Sequence, residues 1–206
     1  PGWHIECSVM SKKYLGEQID IHGGGEDLIF PHHENEIAQS EACSGKEFAN
    51  YWMHNAFLNI NNHKMSKSAG NFFTVRDIIK RYDPQVLRMF MLSAHYRSPL
   101  NFSDDLMEAA KAGYERIVTC VSNLNFMLEK DRAADMTAQE QELLKQALDM
   151  RGRFESVMED DFNTADAISV IFDLVRFANS NTNEESARTF LEALRSEIIE
   201  LAGVCG

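Results

Sequence analysis

The spacing of apolar residues divides the chain near residue 100 into two parts of different structural type. Before that point the apolar runs are short and are separated by Gly, Asn and His; they lie at 3–10, 19–21, 52–60 and 72–73. Runs of this length predict short strands and loops. Helices are predicted between them at 37–43, 74–82 and 84–92, the last with a Pro in its first turn.

After residue 100 the apolar positions recur every three or four residues, which predicts amphipathic helices. The first helical face comprises Leu106, Ala109, Ala110, Gly113, Tyr114, Ile117, Cys120, Val121, Leu124 and Leu128. Thr137 is suited to cap a second helix that runs to about residue 158, and Asn163-Thr164 to cap a third. A fourth covers 190–201. The pattern therefore predicts a mixed α/β part followed by an all-α antiparallel helical bundle.

Composition places the chain among globular proteins. Of its 206 residues, 44% are hydrophobic and 25% charged, and no apolar run approaches the ~18 to 20 residues of a membrane span. The chain begins Pro-Gly-Trp-His without an initiator Met or a signal peptide, and we expect it to be a piece of a longer protein. Four cysteines without a CxxC pair predict a reduced, cytoplasmic protein.

Charge is uneven along the chain. Residues 1–100 carry 10 Lys+Arg against 11 Asp+Glu, whereas residues 101–206 carry 10 against 21. The second part is thus acidic, and bulk charge gives no support for nucleic-acid binding. Between Glu47 and Asp77 there is no acidic residue, and a local basic patch that could meet phosphate lies in and just after this window; it comprises Lys64, Lys67, Arg76, Lys80, Arg81 and Arg88. A chance grouping of basic residues in the sequence would explain the patch equally well.

The densest group of chemically active residues lies between 22 and 36. A predicted strand at 19–22 leads into three glycines, Gly23-Gly24-Gly25, where the backbone could approach a ligand closely. A tight structural turn is the alternative. His32 and Glu36 are four residues apart and would project from the same face of a helix, while His33 and Glu34 would point away from it.

An imidazole, a carboxylate and a thiolate together would make a zinc site. Cys7, at the end of the first strand-like run, is the natural thiolate donor to join His32 and Glu36. Three ligands are one fewer than the four of a tetrahedral zinc site. The alternative to a metal site is that His32 and Glu36 form an ordinary side-chain pair on a helix. The other cysteines show no ligand spacing and are predicted to lie in the core; they are Cys43, Cys120 and Cys205.

A second group, Lys64-Met65-Ser66-Lys67-Ser68, precedes Ala69-Gly70-Asn71. Two ammonium groups and two hydroxyls on a loop that ends in glycine can hold a polyanion. A solvated turn is the alternative.

These motifs resemble the cysteinyl-tRNA synthetase family of class I aminoacyl-tRNA synthetases. The resemblance is carried by the KMSKS string at 64–68, by Gly2-Trp3-His4-Ile5-Glu6-Cys7-Ser8, by the segment 22–36 and by Asp160-Asp161-Phe162-Asn163-Thr164. It covers essentially the whole chain, in the order in which the family has these motifs.

The resemblance implies a role for individual residues. Cys7, His32 and Glu36 match zinc ligands of the family, in which the metal binds the thiolate of the substrate and so selects cysteine over serine. Trp3 and His22 match residues that line the amino-acid pocket. The ATP site is implied for four residues: Gly24, Gly25, Asp27 and Lys67. Lys64 is implied to assist Lys67 in catalysis, which proceeds by attack of the cysteine carboxylate on the α-phosphate of ATP, with Mg²⁺ expected alongside.

The resemblance also implies an architecture and partners. Residues 1–30 would end a Rossmann-type catalytic domain, 31–102 would hold the zinc-site helix and the stem-contact region with the KMSKS loop, and 103–206 the helical bundle. The family's HIGH motif, its upstream zinc-binding Cys and its anticodon-binding domain have no counterpart here. The implied partners are L-cysteine, ATP, tRNA(Cys) and these missing parts, with no membrane. We therefore expect the 206-residue chain to be inactive by itself.

Two alternative functions remain open from sequence. One is the related ligase that joins cysteine to an amino-sugar inositol in mycothiol synthesis; His22 and the tract His95-Tyr96-Arg97-Ser98 favour the tRNA enzyme. The other is a non-catalytic RNA- or protein-binding fragment, which the acidic second part opposes weakly.

Overall fold

The structure of the chain is a computed structural model that describes residues 2–60 and 74–206 and the backbone of 63–64. Its helices are α1 (His4–Leu15), α2 (Glu34–Ser44), α3 (Val75–Ile78), α4 (Pro84–Leu92), α5 (Asp104–Leu128), α6 (Ala138–Glu159), α7 (Thr164–Asn181) and α8 (Arg188–Cys205). Its strands are β1 (Ile19–Gly25), β2 (Ala49–Asn55), β3 (Leu58–Ile60), β4 (His63–Lys64) and β5 (Leu100–Phe102). The predicted fold class, α/β followed by helices, is confirmed.

The described chain separates into two compact units. Unit 1 runs to Asn59 and includes Tyr96–Leu100, and unit 2 contains Ile60–His95 and Asn101–Gly206. In unit 1, β1 and β2 form a two-stranded parallel sheet, and α1 packs against α2. The parallel register runs from Ile19 opposite Ala49 to Gly25 opposite Asn55.

The small apolar core of unit 1 lies where β1 and β2 begin. Phe48 is buried there with Ile19 and Ala49, and Ile37 and Trp52 pack against them. Many large apolar side chains of unit 1 are instead exposed, among them Trp3, Val9, Met10, Tyr14, Leu15, Phe30 and Tyr51. The interior of unit 1 is therefore filled largely by polar side chains.

Two sequence predictions for unit 1 are wrong. The run at 3–10 is helical rather than a strand or loop, because α1 contains neither Gly nor Pro and ends only at Gly16, whose φ of 102° is readily adopted by glycine alone. The three glycines are strand rather than loop, because β1 pairs with β2 as far as Gly25. The strand prediction at 19–21 and the helix prediction at 37–43 are confirmed.

Unit 2 is dominated by the four long helices α5 to α8. Their ends follow the predicted caps: the side chain of Thr137 accepts a hydrogen bond from the backbone N–H of Glu140, and that of Asn163 from Asp166. The helix predicted at 74–82 is shorter than expected. It is confined to α3 because Pro84 forces Asp83 into an extended conformation (ψ 139°), which separates α3 from α4.

A continuous apolar core holds the bundle together. It includes side chains with no measurable exposure on three helices: Ala147 on α6, Leu174 on α7, and Phe190, Leu191, Leu194 and Ile198 on α8. Cys120 is buried in this core and Cys205 packs against it, as predicted. Between α6 and α7, Asp161 and Phe162 both adopt left-handed conformations, with φ of 56° and 55°. Among the described residues no helix has the length and apolarity needed to span a membrane.

Two buried carboxylates join helices of the bundle. Arg151 on α6 makes a bidentate pair with Glu197 on α8, with Nε to Oε1 at 2.6 Å and Nη2 to Oε2 at 3.0 Å. Glu140 completes the capping box of α6 and also accepts a hydrogen bond at 2.8 Å from the backbone N–H of Ala187, the residue that precedes α8. The Glu140 carboxylate therefore accepts hydrogen bonds at the start of both α6 and α8.

Burial by itself would raise the pKa of Glu140, but hydrogen bonds from the backbone of Thr137 and Ala187 and from the Thr137 hydroxyl lower it overall. A lowered native pKa stabilises the fold at pH values above the ordinary carboxyl pKa of about 4.3. This stabilisation is lost as the pH falls through the native pKa.

We expect Glu140→Gln to lower the free energy of unfolding by about 1 to 3 kcal/mol at neutral pH, because a buried charge-assisted cap is weakened. For a chain of this size that corresponds to a fall in Tm of roughly 2 to 4 °C for each kcal/mol. Urea unfolding followed by circular dichroism measures the change. The difference from the unsubstituted chain should shrink as the pH falls below 4.

Glu142→Gln is the matched control, since Glu142 is exposed on the same helix and pairs with the exposed Lys145. It should change stability by less than about 0.5 kcal/mol. Equal effects of the two substitutions, or a pH-independent deficit for Glu140→Gln, would show that Glu140 does not hold the two helix starts together.

Candidate functional site

The candidate metal ligands are brought together by three elements of unit 1. Cys7 lies in the second turn of α1, and Glu36 in the first turn of α2. His32 lies in the irregular helical turn, Ile29–His33, that leads into α2, so it remains one turn from Glu36. The sequence placed Cys7 on a strand; the structure supplies it from a helix instead.

The donor atoms of Cys7, His32 and Glu36 all lie within 4.8 Å of one another. Nε2 of His32 is 2.7 Å from Oε1 of Glu36, and the Glu36 side chain is only 1% exposed. A thiol, an imidazole and a carboxylate at this spacing can close around one cation after small side-chain movements, since zinc ligands lie about 2.0 to 2.3 Å from the metal.

His22 approaches the same carboxylate from β1. Its Nε2 lies 2.6 Å from Oε2 of Glu36. This approach is close but lacks the alignment of a hydrogen bond: among the described residues, neither carboxylate oxygen of Glu36 nor Nε2 of His22 has a hydrogen-bond partner. Buried polar atoms are rarely left in this state in native proteins. A positive ion among these donors would satisfy the carboxylate, so the residues present fit a metal.

Further histidines surround the cluster. His4 Nδ1 is 2.7 Å from His32 Nδ1, and His33 Nδ1 is 2.8 Å from His54 Nε2. Burial, with smaller contributions from His22, His54 and His32, lowers the pKa of His33 to about 4, so this imidazole is neutral at pH 7. Burial and His22 also lower the pKa of His54.

The sequence prediction that His33 points away from the site is wrong. Its ring is 3% exposed, and its donor atoms lie within 4.8 Å of those of His22 and Glu36. His33 is three residues before Glu36, and residues at this spacing are neighbours on a helix, so the prediction overlooked a contact that the spacing allows. Glu34, by contrast, is exposed as expected.

Sequence reasoning did not assign His4, His54 or Trp52 to the site. The signal for two of them is the alternation of β2, because Trp52 and His54 share a face and lie opposite His22 and Gly24 in the parallel register. The ring of Trp52 is 4.8 Å from that of His22 and 5.2 Å from that of His33. This signal is usable only once the pairing of β1 with β2 is known.

Burial raises the pKa of the Cys7 thiol, and the nearby Glu36 carboxylate raises it further. In the absence of a cation this sulfur is therefore a protonated thiol at neutral pH. A cation between the two groups would favour the thiolate, because metal ligation requires deprotonated sulfur.

Gly24 lies directly against the histidine cluster. A Cβ atom at this position would come within 2.9 Å of Leu28 Cδ1 and 3.0 Å of His33 Cε1. A side chain at this position would therefore displace Leu28 and shift the ring of His33. At Gly25 a Cβ would meet the Asp27 carboxylate at 2.5 Å, and Asp27 itself is exposed at the start of the short helical turn after β1.

The remaining predicted residues are placed as follows. Trp3 is 64% exposed, and its ring centroid lies 4.9 Å from that of His32. The backbone of Lys64 lies on β4, while Lys67 and the rest of the KMSKS string are outside the described residues. In the basic patch, Lys80 pairs with Asp77 and Arg81 with Asp104. Both cations therefore already have a neighbouring carboxylate.

The prediction that Cys43 belongs to the core is wrong. This residue is exposed near the end of α2, where its sulfur accepts a contact from Lys12 Nζ at 3.6 Å. Cys43 lies two turns after Glu36 on the same face of α2, but it is one residue from the end of the helix, where that face is no longer buried.

The chain is similar to known proteins over its whole length. Residues 1–112 match the family described as tRNA synthetases class I (C) catalytic domain, and residues 153–206 match the DALR domain. Proteins named cysteine–tRNA ligase are similar over the whole chain: that of Lachnospira eligens is 61% identical over 206 residues, and that of Geobacter metallireducens is 53% identical over 210. The chain covers 44% and 43% of those two proteins.

One solved structure shows the same fold at low identity. It is the LeuRS of Agrobacterium radiobacter K84 in a ternary complex with tRNA and LeuAMS, with a TM-score of 0.70 and 19% identity, covering 91% of this chain and 27% of the other. Together with the family match over more than half of its residues, this likeness establishes the fold. The chain belongs to the cysteinyl-tRNA synthetase family of class I tRNA synthetases.

Proposed function

We propose that this chain is the part of a cysteine–tRNA ligase that holds the metal centre, and that the complete enzyme activates L-cysteine with ATP and transfers it to tRNA(Cys) in the cytoplasm. The proposal rests on the cluster of Cys7, His32 and Glu36. In this cluster the buried carboxylate of Glu36 has no hydrogen-bond partner among the described residues. Two relatives named cysteine–tRNA ligase support it, since they are 61% and 59% identical to the chain over the aligned 206 and 204 residues.

Zinc fits the three donors, because it accepts sulfur, imidazole nitrogen and carboxylate oxygen together. When bound, it would supply a soft electrophile to which the thiolate of the substrate can attach. Cys7, His32 and Glu36 would hold it from one side, and the resemblance implies a further upstream Cys. Serine offers only a neutral hydroxyl to such a metal, so discrimination against serine would come from ligand chemistry rather than from pocket size.

The aromatic side chains around the cluster are suited to form the walls of the amino-acid pocket. Trp3 lies over His32, and His22 reaches Glu36 from β1. Rings held at both sides would exclude water from the thiolate and orient it toward the donors. Trp52, packed edge-on to His22, would keep that imidazole in place.

The nucleotide is proposed to lie next to β1. The backbone of Gly24 and Gly25 would pack against adenosine, and the exposed Asp27 carboxylate would accept a hydrogen bond from the ribose. Lys64 and Lys67 would offset the charge that develops on the phosphates as the cysteine carboxylate attacks, with Mg²⁺ expected on the ATP. Catalysis on this scheme is by positioning and charge stabilisation, and no protein nucleophile takes part.

A hybrid enzyme tests this proposal. In it, the chain replaces the matching 44% of the Lachnospira eligens ligase. We expect the hybrid to catalyse cysteine-dependent ATP–pyrophosphate exchange and to charge tRNA(Cys), with serine inactive. Lys67→Ala in the hybrid should slow exchange by about 100-fold, the cost typical of removing one charge-stabilising donor. The 206-residue chain alone should be inactive.

Three results would contradict the proposal. The first is a hybrid that joins cysteine to an amino-sugar inositol in preference to tRNA. The second is a folded hybrid without exchange activity that still binds RNA, which would favour a binding fragment. The third is full activity of Lys67→Ala.

The metal ligands can be tested in the chain itself. We expect Co²⁺ added at one equivalent to give a thiolate-to-metal charge-transfer absorption, and Cys7→Ser to abolish it and weaken binding by at least about 100-fold, since loss of even an outer contact costs 10- to 100-fold. Cys43→Ser is the matched control and should keep the band, because Cys43 is exposed and does not belong to the ligand set. A band that persists in Cys7→Ser would remove Cys7 from the metal site.

A further inference from the structure

The carboxylate of Glu36 faces two different sets of donors. Its Oε1 lies 2.7 Å from His32, on the side of Cys7, and its Oε2 lies 2.6 Å from His22. The donor atoms of His22, His33 and Glu36 lie within 4.8 Å of one another, as do those of Cys7, His32 and Glu36. One set contains a thiol, and the other contains only nitrogen and oxygen.

We propose that His22, His33 and Glu36 form a second metal site, which takes a divalent first-row cation such as Zn²⁺ or Co²⁺ and shares the Glu36 carboxylate with the thiol-containing site. Two imidazoles and a carboxylate are a donor set that holds catalytic zinc in some hydrolases. Imidazole donors favour zinc, cobalt and nickel over magnesium and calcium, so the site selects transition metals.

The spacing of the donors suits a cation. Ligand atoms around a tetrahedral zinc lie about 3.4 Å apart, given metal–ligand distances near 2.1 Å. On binding a cation, the 2.6 Å distance between His22 and Glu36 would lengthen slightly. The longest distance between two donor atoms of the set, at most 4.8 Å, would shorten. Nε2 of His22 and Oε2 of Glu36 are buried and without a hydrogen bond in the described structure, so a cation would replace only their direct contact with each other.

A contact behind the second site fixes one of its ligands. Nδ1 of His33 lies 2.8 Å from Nε2 of His54, which leaves Nε2 of His33 as the nitrogen free to bind a cation. Ligating histidines in metal centres commonly have such a partner on the second ring nitrogen, and it sets the orientation of the ring. The positions of His33 and His54 are therefore those of a ligand and its support.

Occupation of this site would have a consequence for substrate binding. His22 is a wall of the proposed amino-acid pocket, so a cation held there would take up space that cysteine needs. This consequence rests on the proposed function, whereas the existence of the site does not. Because the second site has no thiolate and shares its carboxylate, it should fill after the first, and an excess of metal should then oppose cysteine binding.

Two optical signals report on bound cobalt: quenching of tryptophan fluorescence reports on occupation of either site, and the charge-transfer absorption reports on the thiol-containing site alone. Trp52 lies 4.8 Å from His22 and 5.2 Å from His33, whereas Trp3 lies 4.9 Å from His32. Cobalt quenches nearby indole fluorescence. Cobalt in the thiol-containing site also gives the charge-transfer absorption, which the second site cannot give.

The test is a Co²⁺ titration of the 206-residue chain with metal counted by equilibrium dialysis. We expect two ions per chain at saturation, of which only the first produces the charge-transfer band. Cys7→Ser should bind one ion without the band and with quenching of tryptophan fluorescence. His33→Asn should bind one ion and keep the band, which also shows that the surrounding fold is intact.

His22→Gln is a second way to remove the site and should give the same loss as His33→Asn. His95→Asn is the control, because it removes a histidine of unit 2 and should leave the count at two. The proposal is overturned if the chain saturates at one ion that gives the charge-transfer band, if it binds none, or if cobalt held by surface carboxylates gives a count that His33→Asn does not change. Saturation at one ion that quenches tryptophan fluorescence without any charge-transfer band, and that His33→Asn abolishes, would support the second site and contradict the zinc site of the proposed function.

Discussion

The arrangement of unit 1 depends on one buried negative group, the carboxylate of Glu36. A carboxylate that is 1% exposed is costly unless charges or donors surround it. Here α1 contributes Cys7, β1 contributes His22, and the turn before α2 contributes His32. Each of these elements must lie close to the carboxylate, so its desolvation constrains the packing of the unit as much as the apolar core does.

The two units use different sources of stability. The bundle of unit 2 buries a continuous set of Leu, Ile, Val, Phe and Ala side chains, which is the dominant favourable contribution in folding. Unit 1 has a core of only a few apolar residues and an interior of imidazoles, a thiol and a carboxylate. Polar groups so placed contribute little net stability but hold one another in defined positions. Unit 1 is thus built for chemistry, with less apolar burial than a domain of its length usually has.

Much of the fold could be predicted from sequence because the long helices carry a strong periodic signal. The caps at Thr137 and Asn163 were correct, since a side-chain oxygen before an apolar helical pattern has a local physical meaning. The segments that were mispredicted are those in which tertiary pairing decides. α1 has a weakly amphipathic sequence, and Gly23–25 has no side chains to reveal its pairing with β2.

Part of the candidate site could also be predicted from sequence, because some of its residues are linked by local spacing. His32 and Glu36 are one helical turn apart, which sequence spacing reveals, and the motifs indicated the zinc ligands by resemblance. The contact of His33 with Glu36 is compatible with their spacing of three residues, but the contribution of His54 depends on strand pairing, which has no local signature. Long-range register therefore accounts for most of what sequence reasoning missed.

The parallel pairing of β1 with β2 has a consequence for how this segment can tolerate changes in length. His22 lies opposite Trp52 and Gly24 opposite His54, so all four positions present one face of a two-stranded sheet. Because side chains alternate, a single-residue insertion before Trp52 would send both β2 side chains to the opposite face, whereas insertion of two residues would restore the face and shift only the register. Whether the number of inserted residues is odd or even, rather than how large it is, therefore decides whether the histidines remain on one face.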